Sequence, residues 1–189
     1  MKILLIGPQG SGKSTQGKLL ERKFQIPYIS TGDIFRTIAL QDTDEGKRIK
    51  QILDAGELVD DKTTVGLIRQ RIGVSDSQNG FILRSKTVPE RREGFILDGY
   101  PRNLEQAKEV ADLNFDKAFY LKIPREIVLE RLLKRGRKDD TEDLIKKRLD
   151  LYYLQTQPLL DYYKNQGILV EVDGTGDIQT IQDEIKKFI

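Results

Sequence analysis

Residues 7–15 read GPQGSGKST, which places Gly7, Gly12, Lys13 and Ser14 at the fixed positions of G-x-x-x-x-G-K-S/T. Glycines at that spacing let the backbone curl until successive N–H groups point at one centre. A helix starting there adds the positive end of its dipole, so the ligand such a loop suits is phosphate. Lys13 supplies a full charge to terminal phosphates, and the hydroxyl of Ser14 or Thr15 is a ligand for Mg²⁺. A glycine-rich turn with a surface lysine is the bland reading. The flanks argue against it, because the apolar run Lys2 to Ile6 precedes the loop and STQGKLLERKF, with Leu19, Leu20 and Phe24 at helical spacing, follows it.

Magnesium chemistry also needs a carboxylate. In an open parallel sheet ligands sit outside the carboxyl ends of the strands, so a second apolar strand that ends in Asp beside the loop would supply one. GFIL occurs twice, at 80–83 and at 94–97. The first copy runs into Arg84, a cation where the metal should be, and the second runs into Asp98. The second copy is therefore assigned the chemistry, with Asp98 acting on the metal through water.

Composition removes other options. Among 189 residues there is no Cys and no His, which excludes disulfides, thiol nucleophiles, Cys/His zinc sites and a histidine base. Carboxylates, amines, guanidinium groups and hydroxyls remain. With 38% hydrophobic residues, 33% charged residues and a net charge of +2, the chain reads as one ordinary globular unit whose bulk charge names no nucleic acid or membrane partner. The start KILLIG is too short for a signal core, and no run approaches the ~18 apolar residues of a membrane span. A cytoplasmic location is expected.

The elements that must position these groups alternate. Apolar runs at Lys2 to Ile6, Pro27 to Ile29, Phe95 to Leu97, Ala118 to Ile123 and Ile168 to Val172 predict strands. Helical spacing predicts helices after the loop and over Asp33 to Ala39, Lys47 to Ala55, Asp61 to Arg71, Leu104 to Ala111, Arg125 to Lys134, Thr141 to Asn165 and Ile178 to Phe188. Strands alternating with helices imply an α/β fold with a parallel sheet covered on both faces. Asp139 and Asp140 precede a helix and are expected to cap it. The tyrosines of LYYLQTQPLLDYY are expected on a buried helix face.

Taken in order, GKSTQGKLL, YISTGDIFR, AGELVDD, EGFILDGYPRNLEQA, RLLKRGRKDDTEDLIKKRL and VDGTGD resemble the adenylate kinase family of nucleoside monophosphate kinases over nearly the whole chain. The resemblance implies a three-layer, P-loop NTPase-like α/β fold with a five-stranded parallel sheet. It implies a core of about 1–29 and 61–189, a small helical monophosphate-binding lobe at about 30–60, and Mg²⁺-dependent transfer from ATP to AMP. On the ATP side it implies roles for Gly10, Ser11, Gly12, Lys13, Ser14, Thr15, Arg131, Arg135 and the Gly176 carbonyl. On the AMP side it implies Thr31, Arg36, Glu57, Leu58, Val59, Gly99, Tyr100, Pro101, Arg102, Gln106, Arg137 and Arg148. Lys13, Arg102, Arg135, Arg137 and Arg148 would surround the transferring phosphoryl group, with Ser14 and Asp98 toward the metal. Thr31 and Gln106 match the family's adenine-selecting pattern.

Two departures from the family's pattern stand out. The lid that normally separates RLLKRG from RKDD is reduced to about 136–137, because Arg137 follows Gly136 directly. An insertion of about 79–93, carrying Arg84, Lys86, Arg91 and Arg92, precedes EGFILD and is expected on the side of the sheet away from the nucleotides. The alternatives are a UMP/CMP or other monophosphate kinase and, from another class, a catalytically silent ATP-binding module. A GTP switch is disfavoured, since no Asn is followed by Lys and DGYP does not fit D-x-x-G. No obligate protein partner is evident in the motifs.

Overall fold

Five short apolar runs form one parallel sheet. In the computed structural model, which describes residues 1–73, 94–135 and 141–189, they are β1 (Lys2–Ile6), β2 (Tyr28–Ser30), β3 (Phe95–Asp98), β4 (Lys117–Lys122) and β5 (Leu169–Asp173). The order across the sheet is β2-β3-β1-β4-β5, with every neighbouring pair parallel. The helices are α1 (Lys13–Phe24), α2 (Thr31–Ala39), α3 (Asp44–Asp54), α4 (Asp61–Ile72), α5 (Leu104–Glu109), α6 (Arg125–Arg135), α7 (Glu142–Asn165) and α8 (Ile178–Lys186).

Alternation along the strands divides the core into layers. Leu4 and Ile6 of β1 join a cluster with Leu97, Ile34, Ile68 and Leu159, whereas Ile3 and Leu5 join another with Leu20 of α1 and Ile181 and Ile185 of α8. Successive side chains of a strand point to opposite faces, so a sheet buried on both sides has apolar residues at every position. All four residues of β3 are buried, as that arrangement requires. A smaller cluster of Val128, Leu132, Ile145 and Leu149 holds α6 to α7. No helix among the described residues is long and apolar enough to cross a membrane.

Local capping moves several boundaries from the expected ones. The chain enters α2 at Thr31 rather than Asp33, because the Ser30 hydroxyl accepts the Asp33 N–H at 3.3 Å. Helix α3 begins at Asp44 rather than Lys47, since Thr43 Oγ1 accepts from Gly46 N at 3.0 Å. Helix α5 stops at Glu109, and a 3₁₀ turn over Ala111–Leu113 follows. Thr141 is the N-terminal flanking residue of α7. Asp139 and Asp140, the shortened lid at 136–137 with Arg137, and the 79–93 segment with the first GFIL copy, Arg84, Lys86, Arg91 and Arg92 all lie outside the described residues. Of the α7 tyrosines, Tyr163 is buried as its spacing predicts, while Tyr153 is 37% exposed.

The sheet order positions the site. β3 lies directly beside β1 with Leu5 paired to Asp98, so the carboxyl ends of both strands open at the same edge. β1 delivers the glycine loop there, and β3 delivers Asp98 to Arg102.

Candidate active site

The loop between β1 and α1 turns through Gly10 (φ +81°) and Gly12 (φ +95°), left-handed conformations that L side chains rarely adopt. A Cβ on Gly10 would also meet Leu132 at 3.0 Å. Ser11 is fully buried, and its N–H donates to the Pro8 carbonyl at 3.2 Å. Ser14 and Thr15 are exposed at the start of α1, whose first turn holds no acidic residue, so nothing there opposes an anion at the helix start. Lys13 folds back over the loop, its Nζ donating to the Gly7 carbonyl at 2.6 Å and to that of Pro8 at 2.9 Å.

Asp98 faces this lysine. Its Oδ1 lies 4.0 Å from Lys13 Nζ, and its Oδ2 accepts from the Tyr28 hydroxyl at 2.6 Å. The second GFIL copy thus brings its Asp beside the glycine loop, and Tyr28, which the sequence reading did not single out, holds the other carboxylate oxygen. Burial beside the Asp98 carboxylate pushes the Tyr28 hydroxyl well above its usual range, so it remains a donor. The Tyr28 ring packs on Gly17 of α1, where a Cβ would overlap ring carbons Cδ2 and Cε2.

Cations surround the same point. Burial pushes the Lys13 ammonium below the usual lysine range; Asp98 opposes that shift, and Arg102 and Arg135 reinforce it. Burial likewise lowers Arg102, against the fields of Asp98 and Asp61 and with that of Arg148. Arg102 is fastened by its Nε, which donates to the Gly99 carbonyl at 2.8 Å. Arg148 of α7 reaches across to the loop after α3, its Nη2 only 3.5 Å from where a Gly56 Cβ would stand. The structure thus gathers Lys13, Arg102, Arg135 and Arg148 around one region.

The expected monophosphate side lies next to it. Thr31 is 2% exposed, and a Cβ on Gly99 (φ +91°) would overlap its hydroxyl oxygen. Arg36 is exposed and ion-paired to Asp33 at 2.5 Å. Glu57 and Leu58 are exposed beside buried Val59. Tyr100 is buried with its hydroxyl donating to Glu109 at 2.6 Å, which braces the loop that continues through a cis peptide to Pro101. Gln106, 6% exposed, accepts from the Arg102 N–H at 2.7 Å and donates to Asp61 Oδ1 at 2.6 Å.

A family model described as adenylate kinase matches residues 5–168. Among curated relatives, an adenylate kinase of Nocardia farcinica is 39% identical over 189 aligned positions, which span 97% of this chain and 96% of that protein. An adenylate kinase of Leptospira biflexa serovar Patoc is 39% identical over 198 positions, covering 100% and 99%. The chain belongs to the adenylate kinase family. A third relative, an adenylate kinase of Clostridium botulinum, is 35% identical over 226 positions that take in all of this chain and 98% of that protein. Those 226 positions exceed this chain's 189 residues, so the clostridial kinase carries residues that this family member lacks.

On the far side of the kinase's phosphate loop a cleft of about 660 Å³ is lined by Gly10, Thr15, Gln16, Arg131, Gly176 and Ile178, among others. Arg131 donates to the carbonyls of Gly174 at 3.0 Å and Thr175 at 3.3 Å. Gln16 Nε2 donates to the Ile178 carbonyl at 3.0 Å from the other side. The Gly176 loop is thereby clamped between α1 and α6. Gln16 went unnoticed in the sequence because its partner is 162 residues away. For Mg²⁺ the oxygen donors Asp98 and Ser14 have the right hardness, and an ion that keeps waters and phosphate oxygens needs only one or two carboxylates. Among the described residues no group of three or more carboxylates converges.

Proposed function

We propose that this adenylate kinase family member catalyses the reversible, Mg²⁺-dependent transfer of the γ-phosphoryl group of ATP to AMP, giving two ADP, within the cytoplasm. The observation that carries the reading is the convergence of Lys13, Asp98 and Arg102 where β1 and β3 end side by side, 4.0 Å separating the ammonium from the carboxylate. Phosphoryl transfer asks for positioning and charge neutralisation rather than a covalent nucleophile.

In this reading the loop backbone at Gly10 to Ser14 holds the ATP phosphates, and the adenine lies in the cleft against Arg131 and the Gly176 carbonyl. Lys13 is desolvated and crowded by Arg102 and Arg135, so a polyanion that takes it from the Gly7 and Pro8 carbonyls relieves both strains. AMP is held in the lobe of about 30–60 by Thr31, Arg36 and the Glu57 to Val59 stretch, with Gly99 to Arg102 and Gln106 facing it from the core. Arg102, Arg135, Arg137 and Arg148 neutralise charge as it spreads over the equatorial oxygens. Ser14 and Asp98 would hold Mg²⁺, Asp98 through water, and the ion would supply charge neutralisation to the transferring phosphates.

A lid shortened to about 136–137 leaves these cations in the chain, so transfer is retained while water has easier access. A coupled assay with ATP and Mg²⁺ across AMP, CMP, UMP and GMP tests the reading. AMP is expected to be the best acceptor, with slow phosphate release when no acceptor is present. Binding of ATP and AMP without ADP formation would sink it in favour of a silent ATP-binding module.

A further inference from the structure

The Gln106 carboxamide is held at both ends by partners that leave no choice of orientation. Its Oε1 accepts from the Arg102 backbone N–H at 2.7 Å, and its Nε2 donates to Asp61 Oδ1 at 2.6 Å. A backbone N–H only donates and a carboxylate only accepts. Turning the amide over would set N–H₂ against N–H and carbonyl against carboxylate, breaking both bonds in a residue that is 6% exposed. The Gln106 N–H is also tied, to Asn103 Oδ1 at 2.9 Å, so the whole residue is fixed where α5 begins.

With those bonds made, the amide keeps one N–H on Nε2 and one lone pair on Oε1. Adenine presents on its Watson–Crick edge an amino donor, N6–H, beside an acceptor, N1. Guanine presents the reverse, an acceptor O6 beside a donor N1–H. For a base lying with its C6 substituent toward Oε1 and its N1 toward Nε2, the amide as held suits adenine, and guanine in that pose would require it turned over. We propose that Asp61 is a specificity-determining positioning residue for the monophosphate base: by accepting from Gln106 it locks the carboxamide in the adenine-reading orientation and rejects guanine.

The inference rests on the proposed AMP site but concerns the last residue of AGELVDD, which was given no role in that site above. Asp61 opens α4 immediately after the Glu57 to Asp60 stretch, 45 residues from Gln106, so the contact also joins the edge of the monophosphate lobe to the loop that carries Arg102.

The test uses the full chain with ATP saturating and AMP or GMP as acceptor, two purines that present opposite donor and acceptor patterns at C6 and N1, guanine also carrying a 2-amino group. Asp61→Asn is isosteric and can either accept or donate, which leaves the Arg102 N–H as the one partner still fixing the Gln106 amide and reduces the cost of turning it from two broken bonds to one. The expected result is a fall of at least tenfold in the AMP-over-GMP ratio of kcat/KM, expressed in KM, with kcat for AMP within about threefold and the KM for ATP unchanged. In a Gln106→Ala background the same Asp61→Asn change is expected to leave the ratio unmoved, because Asp61 acts through Gln106. A wild-type enzyme that prefers AMP, with an Asp61→Asn variant whose ratio stays within twofold, overturns the role of Asp61 alone. A wild-type enzyme that prefers GMP, or uses neither, overturns the reading of the site as well. NMR of the nucleotide-free wild-type protein gives a readout that needs no variant: one Gln106 side-chain N–H protected from solvent exchange is expected, and free exchange of both overturns the proposal.

Discussion

Replacing Gly17 by alanine sets two local effects against each other, and their magnitudes decide the sign. Helix propensity alone favours the change by about 1 kcal/mol, because glycine is the costlier residue inside a helix. The new Cβ, however, would overlap two carbons of the Tyr28 ring and stand 3.2 Å from Leu5 Cδ1. Tyr28 cannot simply swing away, since its hydroxyl is fastened to Asp98 at 2.6 Å and its backbone N–H to Glu21 at 3.0 Å. Overpacking a filled core costs about 1–3 kcal/mol, and losing a hydrogen bond to a charged group about 1.5–3 kcal/mol. The net expectation is a destabilisation of about 2–4 kcal/mol, which lowers the melting temperature of a chain this size by about 5–15 °C. Thermal melts of the nucleotide-free protein at pH 7 check it, and in a Tyr28→Val background the same glycine change should become neutral or stabilising. A Gly17→Ala protein that melts higher than wild type would refute the steric argument and show that the ring yields without cost.

Other outcomes follow from the same geometry. Lys13→Ala and Arg102→Ala are each expected to reduce ADP formation at least about 100-fold while circular dichroism shows the fold retained; near-normal turnover in both would overturn the placement of the phosphoryl site. Asp60 caps α4 by accepting from the Thr63 N–H and hydroxyl, both at 2.9 Å, and pairs with Arg48, all of which hold its carboxyl below the usual carboxylate range. Its contribution is therefore present above the unfolded pKa of about 3.9 and lost as pH falls through the lower folded value. Asp60→Ala should cost about 1 kcal/mol at pH 7, or about 2–4 °C, with the gap to wild type closing as pH falls through the depressed folded value, as melts over a descending pH series would show. Removing residues 80–93 should leave transfer intact, because Gly94 enters β3 beside Met1 at the strand's amino end, about 13 Å of extended chain from Asp98; a folded but inactive deletion protein would contradict it.

The features legible in the sequence are those whose signals are local. The glycine loop shows in the spacing from Gly7 to Ser14, the strands in short apolar runs, and the choice between the two GFIL copies in one residue, Asp98 against Arg84. Boundaries were less legible where a single hydroxyl decides them, as Ser30 and Thr43 do for α2 and α3.

What the tertiary structure alone decided is how those local pieces meet. β3 rather than β2 lies beside β1, and it is this order that brings Asp98 to 4.0 Å from Lys13. The Tyr28–Asp98, Gln106–Asp61 and Gln16–Ile178 bonds join residues 70, 45 and 162 positions apart. No periodicity or propensity reports such a contact, because each bond forms only once two elements have packed on a common sheet and buried a donor against an acceptor. The sequence by itself therefore determined which chemistry this chain can hold, and the packing of the sheet determined which side chains aim and constrain it.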